Sequence, residues 1–359
     1  MNPIPVIEAS GDYRLVGRQI GAACQPHIAR MLAGLRNDLP PGITWDQMLR
    51  QSAQYLKISR DIYPQYIAEL EGIAEGAGAP FDEIFISVCE ELWEAAAWRG
   101  CSDMAARGRA TADGSTLIAH TNDLLPDAEE SLVILKIQAG DEPEFIGVSS
   151  GGVGISAGFN GAGISLTGNQ LDQNDIRPGV PRLLVVRAIL ASNRLGEAMD
   201  HCLLPQRASS YNNVIADANG EVYSMEGSAT DCEPLYIEGD ILAHTNHYIS
   251  TAMRGFDADR NDIGGSVIRY NRAMRLLREN FGQITPQRFQ KLLADHADYP
   301  NSLCKHGTET VTVFSIIIDP EKRCAWIGRG KPCKTEYIEY HLEPFHHSPQ
   351  RNEDTKNKL

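Results

Sequence analysis

Apolar positions in the first third of the chain recur with a helical period. Between Tyr13 and Leu35, the positions Leu15, Ile20, Ala23, His27, Ile28, Met31 and Leu32 fall close to one helical face. The same spacing predicts helices over Trp45 to Ile58 and Tyr66 to Gly76, the latter stopping in the glycines of Gly72-Ile73-Ala74-Glu75-Gly76-Ala77-Gly78. Pro80-Phe81-Asp82-Glu83 opens a further helix to about Trp93, with proline and acids early, where helix starts prefer them. From Cys101 onward the period falls to two. Alternation predicts strands over Thr116 to His120, Ser131 to Gln138, Glu144 to Ser149, Gly163 to Thr167, Asn213 to Asp217, Glu221 to Glu226 and Thr310 to Ile318, separated by glycine and asparagine turns. Helical spacing returns over Pro181 to Ser192, Leu195 to Cys202, Gly265 to Phe281 and Pro286 to Ala297. Hairpin-linked strands with helices grouped between them predict an α+β layered fold of mainly antiparallel sheets behind a helical leader.

Composition narrows the function. With 359 residues and 42% hydrophobic content, the chain can bury a large core. A net charge of −14 without a basic stripe argues against nucleic acid and against an anionic membrane surface. No run approaches the roughly 20 apolar residues of a membrane span. The start, Met1 to Glu8, lacks the basic and apolar regions of a secretion signal, so a cytoplasmic enzyme is the expectation. Eight cysteines are too few for a disulfide scaffold at this length. Cys304, His306, Cys324 and Cys333 lack the tight pairs typical of structural zinc, so buried thiols are the better account, and no metal is expected. Gly151-Gly152-Val153-Gly154 lacks the Lys-Ser/Thr ending of a phosphate loop and reads as a tight turn between strands. The polar tail over 346–359 is expected to fray and carries no chemistry.

One junction stands out. Arg99-Gly100-Cys101-Ser102 sits where the helical third gives way to strands, and the hairpin signal Asp113-Gly114 follows it. A thiol at the start of a strand, preceded by glycine, can attack its own upstream carbonyl. The cut would give Cys101 a free α-amino group beside its sulfur, a nucleophile and base on one residue. Read locally, the stronger account of Cys101 is a small buried hydrophobe, as most cysteines are.

Several blocks, in order, carry a resemblance. They are Glu69-Leu70-Glu71-Gly72-Ile73-Ala74-Glu75-Gly76, Gly100-Cys101-Ser102, His120-Thr121-Asn122-Asp123-Leu124, Gly158 to Asn169, His244-Thr245-Asn246-His247-Tyr248, and Ser266-Val267-Ile268-Arg269-Tyr270. Together they resemble the isopenicillin N acyltransferase-like autoproteolytic acyltransferases and hydrolases, a branch of the N-terminal nucleophile (Ntn) hydrolases. The chain is more remotely similar to bile-salt and penicillin V acylases. The resemblance implies a four-layer αββα sandwich with two mainly antiparallel sheets. It also implies cleavage between Gly100 and Cys101. Residues 1–100 would then form a small chain that stays bound to the catalytic part over 101–345.

The resemblance also assigns roles. Cys101 is the nucleophile in maturation and turnover. Asp123 orients its α-amino group. Asn246 is the oxyanion donor, and Asn169, after the glycine-rich block, is a second amide candidate. Arg269 holds the active-site carboxylate or the substrate. The remote acylases carry arginine three residues before the aspartate; here it is His120, read as a strand histidine or a second proton-transfer group. Glu226, Asn212 and His247 occupy family-like positions without an assigned step. The implied reaction passes through an acyl-cysteine thioester, either hydrolysing a small-molecule amide or transferring an acyl group from a thioester such as acyl-CoA to an amine, with no cofactor. The alternatives are a non-cleaving binding protein of the same fold, and a non-processed cysteine hydrolase pairing Cys101 with His244 or His247.

Overall fold

The computed structural model describes residues 3–93, 100–258 and 263–345. Arg99, before the Gly-Cys junction, and the tail over 346–359 lie outside the described residues. The leader forms α1 (Tyr13–Asn37), α2 (Trp45–Ile62), α3 (Pro64–Ala77) and α4 (Phe81–Val88). Asp12 caps α1 by accepting from the Leu15 N–H, and Thr44 and Gln47 form a capping box on α2. As the sequence predicts, the helix stops in this glycine run: α3 closes on Gly78 in the left-handed conformation, while Gly72 and Gly76 lie inside it. Their purpose is close approach. A Cβ on Gly72 would sit 2.1 Å from the Arg14 carbonyl oxygen, and one on Gly17 of α1 would sit 1.9 Å from that of Glu69. Glycines on both helices therefore let α1 and α3 touch backbone to backbone.

The leader is not wholly helical. Val6–Gly11 forms β1 and pairs in parallel with β4 (Leu132–Ala139), so the first hundred residues are stitched into a sheet. That sheet has eight strands in the order β1-β4-β5-β6-β7-β8-β9-β10, where β5 is Phe145–Ser150, β6 Gly154–Asn160, β7 Ser165–Asn169, β8 Asn212–Ala216, β9 Val222–Gly227 and β10 Cys232–Tyr236. The second has six in the order β11-β2-β3-β12-β13-β14, built from β2 (Gly100–Ala106), β3 (Leu117–Leu124), β11 (Ile241–His244), β12 (Val311–Asp319), β13 (Cys324–Arg329) and β14 (Tyr337–His341). Apart from β1 with β4, the pairings are antiparallel. The tight turn expected at Gly151-Gly152 joins β5 to β6, with both glycines at positive φ.

Alternation along the strands divides the apolar side chains into layers. Val133, Leu135 and Ile137 of β4 pack with α1, α3, α4, α5 (Arg182–Leu190) and α6 (Leu195–Cys202). Ile134 of β4 faces the other way and meets Ala105, Ile118, Phe314, Ile316 and Ile318 of the second sheet. The far side of that sheet, with Met104, Ala119 and Ile317, is covered by α7 (Gly264–Glu279) and α8 (Pro286–Leu293) through Ala273, Leu277, Phe289 and Leu293. The result is the four-layer α-β-β-α sandwich. Among the described residues, no helix is long and apolar enough to cross a membrane.

Candidate active site

Cys101 is the second residue of β2, an interior strand between β11 and β3. The pleat puts Cys101 and Asp103 on the face of Ala105, between the sheets, and Gly100 and Ser102 on the face of Met104, under α7 and α8. The Cys101 side chain is buried. Burial pushes its thiol up to about 12; Asp123 and Asp103 add to the shift, while Arg269 and a backbone N–H from Gln170 oppose it. The sulfur is therefore a neutral thiol at physiological pH.

The main chain of Cys101 is clamped from the α7 side. Its N–H donates to Asn246 Oδ1 at 2.9 Å. Arg269, near the start of α7, donates from Nη1 to the Cys101 carbonyl at 2.5 Å and to Ser102 Oγ at 2.9 Å, and from Nη2 to Asn246 Oδ1 at 2.9 Å. Two donors on one oxygen fix the orientation of the Asn246 amide. Its Nδ2 donates to the Gln170 carbonyl at 3.1 Å, and its backbone N–H donates to Ser266 Oγ at 2.7 Å. Arg269 is buried, unlike a solvated helix-face arginine, and it grips the backbone of Cys101.

Asp123 lies on β3 directly opposite Gly100. It is fully buried; its Oδ1 accepts from Thr312 Oγ1 at 2.6 Å and its Oδ2 is 4.0 Å from Lys305 Nζ. Burial holds its carboxyl above the usual range, opposed by Lys305, Arg269, Thr312 and His120. A Cβ on Gly100 would lie 2.8 Å from Lys305 Nζ and 3.0 Å from Asp123 Oδ2, so the ends of these two side chains would have to shift to admit it.

A second polar string runs between the sheets. Glu226 Oε1 pairs with His244 Nε2 at 2.7 Å, and His244 Nδ1 lies 3.0 Å from Asn169 Oδ1, which also accepts from Asn212 Nδ2 at 3.2 Å. Asn169 Nδ2 is left buried without a partner among the described residues. Burial alone would raise the Glu226 carboxyl, but His244 and the N–H groups of Ile249 and Ser250 outweigh it and hold it below the usual range. His247 contacts Ser266 Oγ at 2.8 Å, and burial with nearby His244 brings its pKa down to about 4, so it is neutral at physiological pH. His120 Nδ1 meets Asp103 Oδ1 at 2.7 Å, both buried, and its ring packs beside Phe314.

The fold thus gathers Cys101, Asp123, Asn246 and Arg269 around one strand end. Asn169, Glu226, His244 and Asn212 form a linked string beside them, and His120 sits with Asp103. Residues the sequence reading did not single out are Asp103, Gln170, Lys305 and Thr312. Asp103 has a local signal, since it is two residues from Cys101 on a strand. Lys305 has none, since it comes from a loop after α8. The blocks around residues 69–76 and 158–163 are architectural: the former packs α1 on α3, and in the latter Asn160 binds the carbonyls of Leu190 and Ser192.

Comparison with known proteins agrees on kinship. The chain is 27% identical over 345 residues to the acyl-coenzyme A:6-aminopenicillanic-acid-acyltransferase 40 kDa form of Emericella nidulans, covering 91% of this chain and 92% of that protein. It is 23% identical over 318 residues to the beta-alanyl-dopamine/carcinine hydrolase of Drosophila melanogaster, covering 77% and 79%. Among solved structures, conjugated bile acid hydrolase from Clostridium perfringens aligns with a TM-score of 0.43 at 11% identity, over 69% of this chain and 99% of that one. Residues 110–334, well over half of the chain and including Asp123, Asn169, Asn246 and Arg269, match the family model of acyl-coenzyme A:6-aminopenicillanic acid acyl-transferase, and the chain belongs to that family.

Proposed function

We propose that this chain is a self-processing enzyme whose new N-terminal residue, Cys101, forms an acyl-thioester during turnover. The observation that carries the reading is the clamp on Cys101. Asn246 and Arg269 hold both main-chain polar groups of the residue whose nitrogen becomes the α-amine, and Asp123 lies opposite the glycine that would be released.

In maturation, Cys101 Sγ attacks the Gly100 carbonyl carbon. The C–N bond breaks as the C–S bond forms, the thiol proton moves to the departing nitrogen, and water then hydrolyses the thioester. The products are a Gly100 carboxylate and a free Cys101 with amine and thiol. An α-amino group has a reference pKa of roughly 7.7–8.0, close enough to a thiol's to exchange its proton near neutral pH. Asn246 Oδ1 holds that nitrogen, the Arg269 guanidinium beside it favours the neutral amine, and Asp123 keeps the ammonium form accessible during transfer.

In turnover, the amine takes the thiol proton as sulfur attacks the acyl carbonyl. The amine then returns the proton to the leaving amine or thiolate. Asn169 Nδ2, a buried donor with no other partner among the described residues, and Asn246 Nδ2, which must leave the Gln170 carbonyl, serve the developing oxyanion. Water as second nucleophile makes the enzyme an amidohydrolase; an amine makes it an acyltransferase. The two curated relatives supply the substrate classes to try, acyl-CoA with an amine such as 6-aminopenicillanic acid, and β-alanyl amides.

Denaturing mass spectrometry of the purified chain tests the reading. Two fragments meeting at Gly100/Cys101 are expected, with Cys101→Ala whole and inactive. An intact, active wild type overturns it, and an intact, inactive chain that binds acyl ligands supports the non-cleaving alternative.

A further inference from the structure

Away from Cys101, three loops bring four soft ligands to one point. His296 follows α8, Cys304 and His306 lie on the segment leading to β12, and Cys333 is in the turn after β13. One ligand atom from each lies within 4.8 Å of all the others. His296 Nε2 is 3.0 Å from His306 Nε2, and the sulfurs of Cys304 and Cys333 are 3.4 Å and 3.3 Å from that same His306 nitrogen.

The two sulfur–nitrogen distances match the edges of a coordination shell, and the nitrogen–nitrogen distance is a little shorter than one. Tetrahedral Zn2+ with Zn–N of about 2.0–2.1 Å and Zn–S of about 2.3 Å has ligand–ligand edges of about 3.3–3.8 Å. Hydrogen bonding does not account for the cluster. A single nitrogen, His306 Nε2, faces another imidazole nitrogen and two sulfurs, yet it carries either one proton or one lone pair, not both. A central cation satisfies all four atoms together. The Cys304 sulfur also accepts a backbone N–H from Cys333, the kind of outer contact that steadies a ligating thiolate.

We propose that His296, Cys304, His306 and Cys333 form a structural Cys2His2 site for Zn2+. Two thiols lose their protons on binding, so two thiolates balance the charge of the ion, and four protein ligands leave no open position for catalysis. The sequence reading paired Cys304, His306 and Cys333 with Cys324 and so found no zinc spacing. Cys324 instead lies on β13 opposite His341 of β14, and the fourth ligand comes from His296. The site straps together the segment Cys304-Lys305-His306, whose middle residue stands 4.0 Å from the Asp123 carboxylate. The ion would thereby fix a wall of the Cys101 site without entering its chemistry.

Elemental analysis and native mass spectrometry of the tag-free, full-length chain test this, whatever its catalytic activity. About one Zn2+ per chain is expected, falling to near zero in Cys304→Ser and in Cys333→Ser while Cys324→Ser keeps it. Exchange with Co2+ should give tetrahedral d–d bands and a thiolate-to-cobalt charge-transfer band, and chelation should lower the Tm. A wild-type chain that neither carries nor takes up Zn2+ or Co2+ overturns the proposal. So does a Cys304–Cys333 disulfide in non-reduced peptide maps, or zinc content that survives Cys333→Ser.

Discussion

The main-chain nitrogen of Cys101 donates to Oδ1 of Asn246 at 2.9 Å, and Arg269 donates to the same oxygen at the same distance. The amide oxygen of one asparagine therefore ties the Arg269 guanidinium on α7 to the nitrogen that the proposed cleavage would free. Asn246 thus holds Cys101 in place, in addition to the oxyanion role proposed for it, and its removal loosens that residue.

Asn246→Ala should accordingly slow both self-cleavage and turnover, with kcat down about 10²–10³-fold, the cost of losing one such preorganised group. Fragment formation over time and steady-state rates on a small amide or thioester are the measurements. Wild-type rates in both would remove Asn246 from the site.

Gly100→Ala should fold but mature poorly. Its Cβ would meet Lys305 Nζ at 2.8 Å and Asp123 Oδ2 at 3.0 Å, which displaces the groups around the junction. Misplacement on this scale costs about 10²-fold in rate. A time course of fragment ratio in freshly refolded protein checks this, and unimpaired processing would show that the crowding is relieved at no cost.

The Lys305 ammonium favours the ionised Asp123, against the burial that disfavours it. Removing that charge in Lys305→Met raises the Asp123 pKa further. If ionised Asp123 is needed, activity is lost as pH falls through that pKa, so the acid limb of kcat/KM moves to higher pH. Lys305→Arg should restore the wild-type limb. Superimposable profiles for wild type and Lys305→Met would rule out this coupling.

The α1–α3 contact predicts opposite outcomes for two glycines of one helix. Gly17→Ala puts a Cβ 1.9 Å from the Glu69 carbonyl oxygen and should cost about 3 kcal/mol, the upper range for overpacking. At Gly34 of α1 a Cβ meets nothing within 4 Å, so Gly34→Ala should stabilise the chain by about 0.5–1 kcal/mol through helix propensity. Urea midpoints decide it; equal shifts would refute the close-packing account.

Periodicity in the sequence determined much of the interior. The helices α1 to α8 and the strands β3, β4, β5, β7, β8, β9 and β12 carry spacing that elementary burial imposes. The interior strands β2, β6 and β13 carry no such signal, and all four edge strands, β1, β10, β11 and β14, escaped it as well. An edge strand has one neighbour, and these are short or half-exposed, so little selects an alternating pattern. The Gly-Cys junction and the asparagine and arginine blocks were legible because local chemistry and family likeness mark them. Only the tertiary structure decided what those residues touch. It gave Asn246 the Cys101 nitrogen, gave Arg269 the Cys101 carbonyl, brought Lys305 to Asp123, and set His296 beside Cys304, His306 and Cys333. Each is a contact between distant segments, fixed by sheet register and loop closure, to which short-range spacing along the chain is blind.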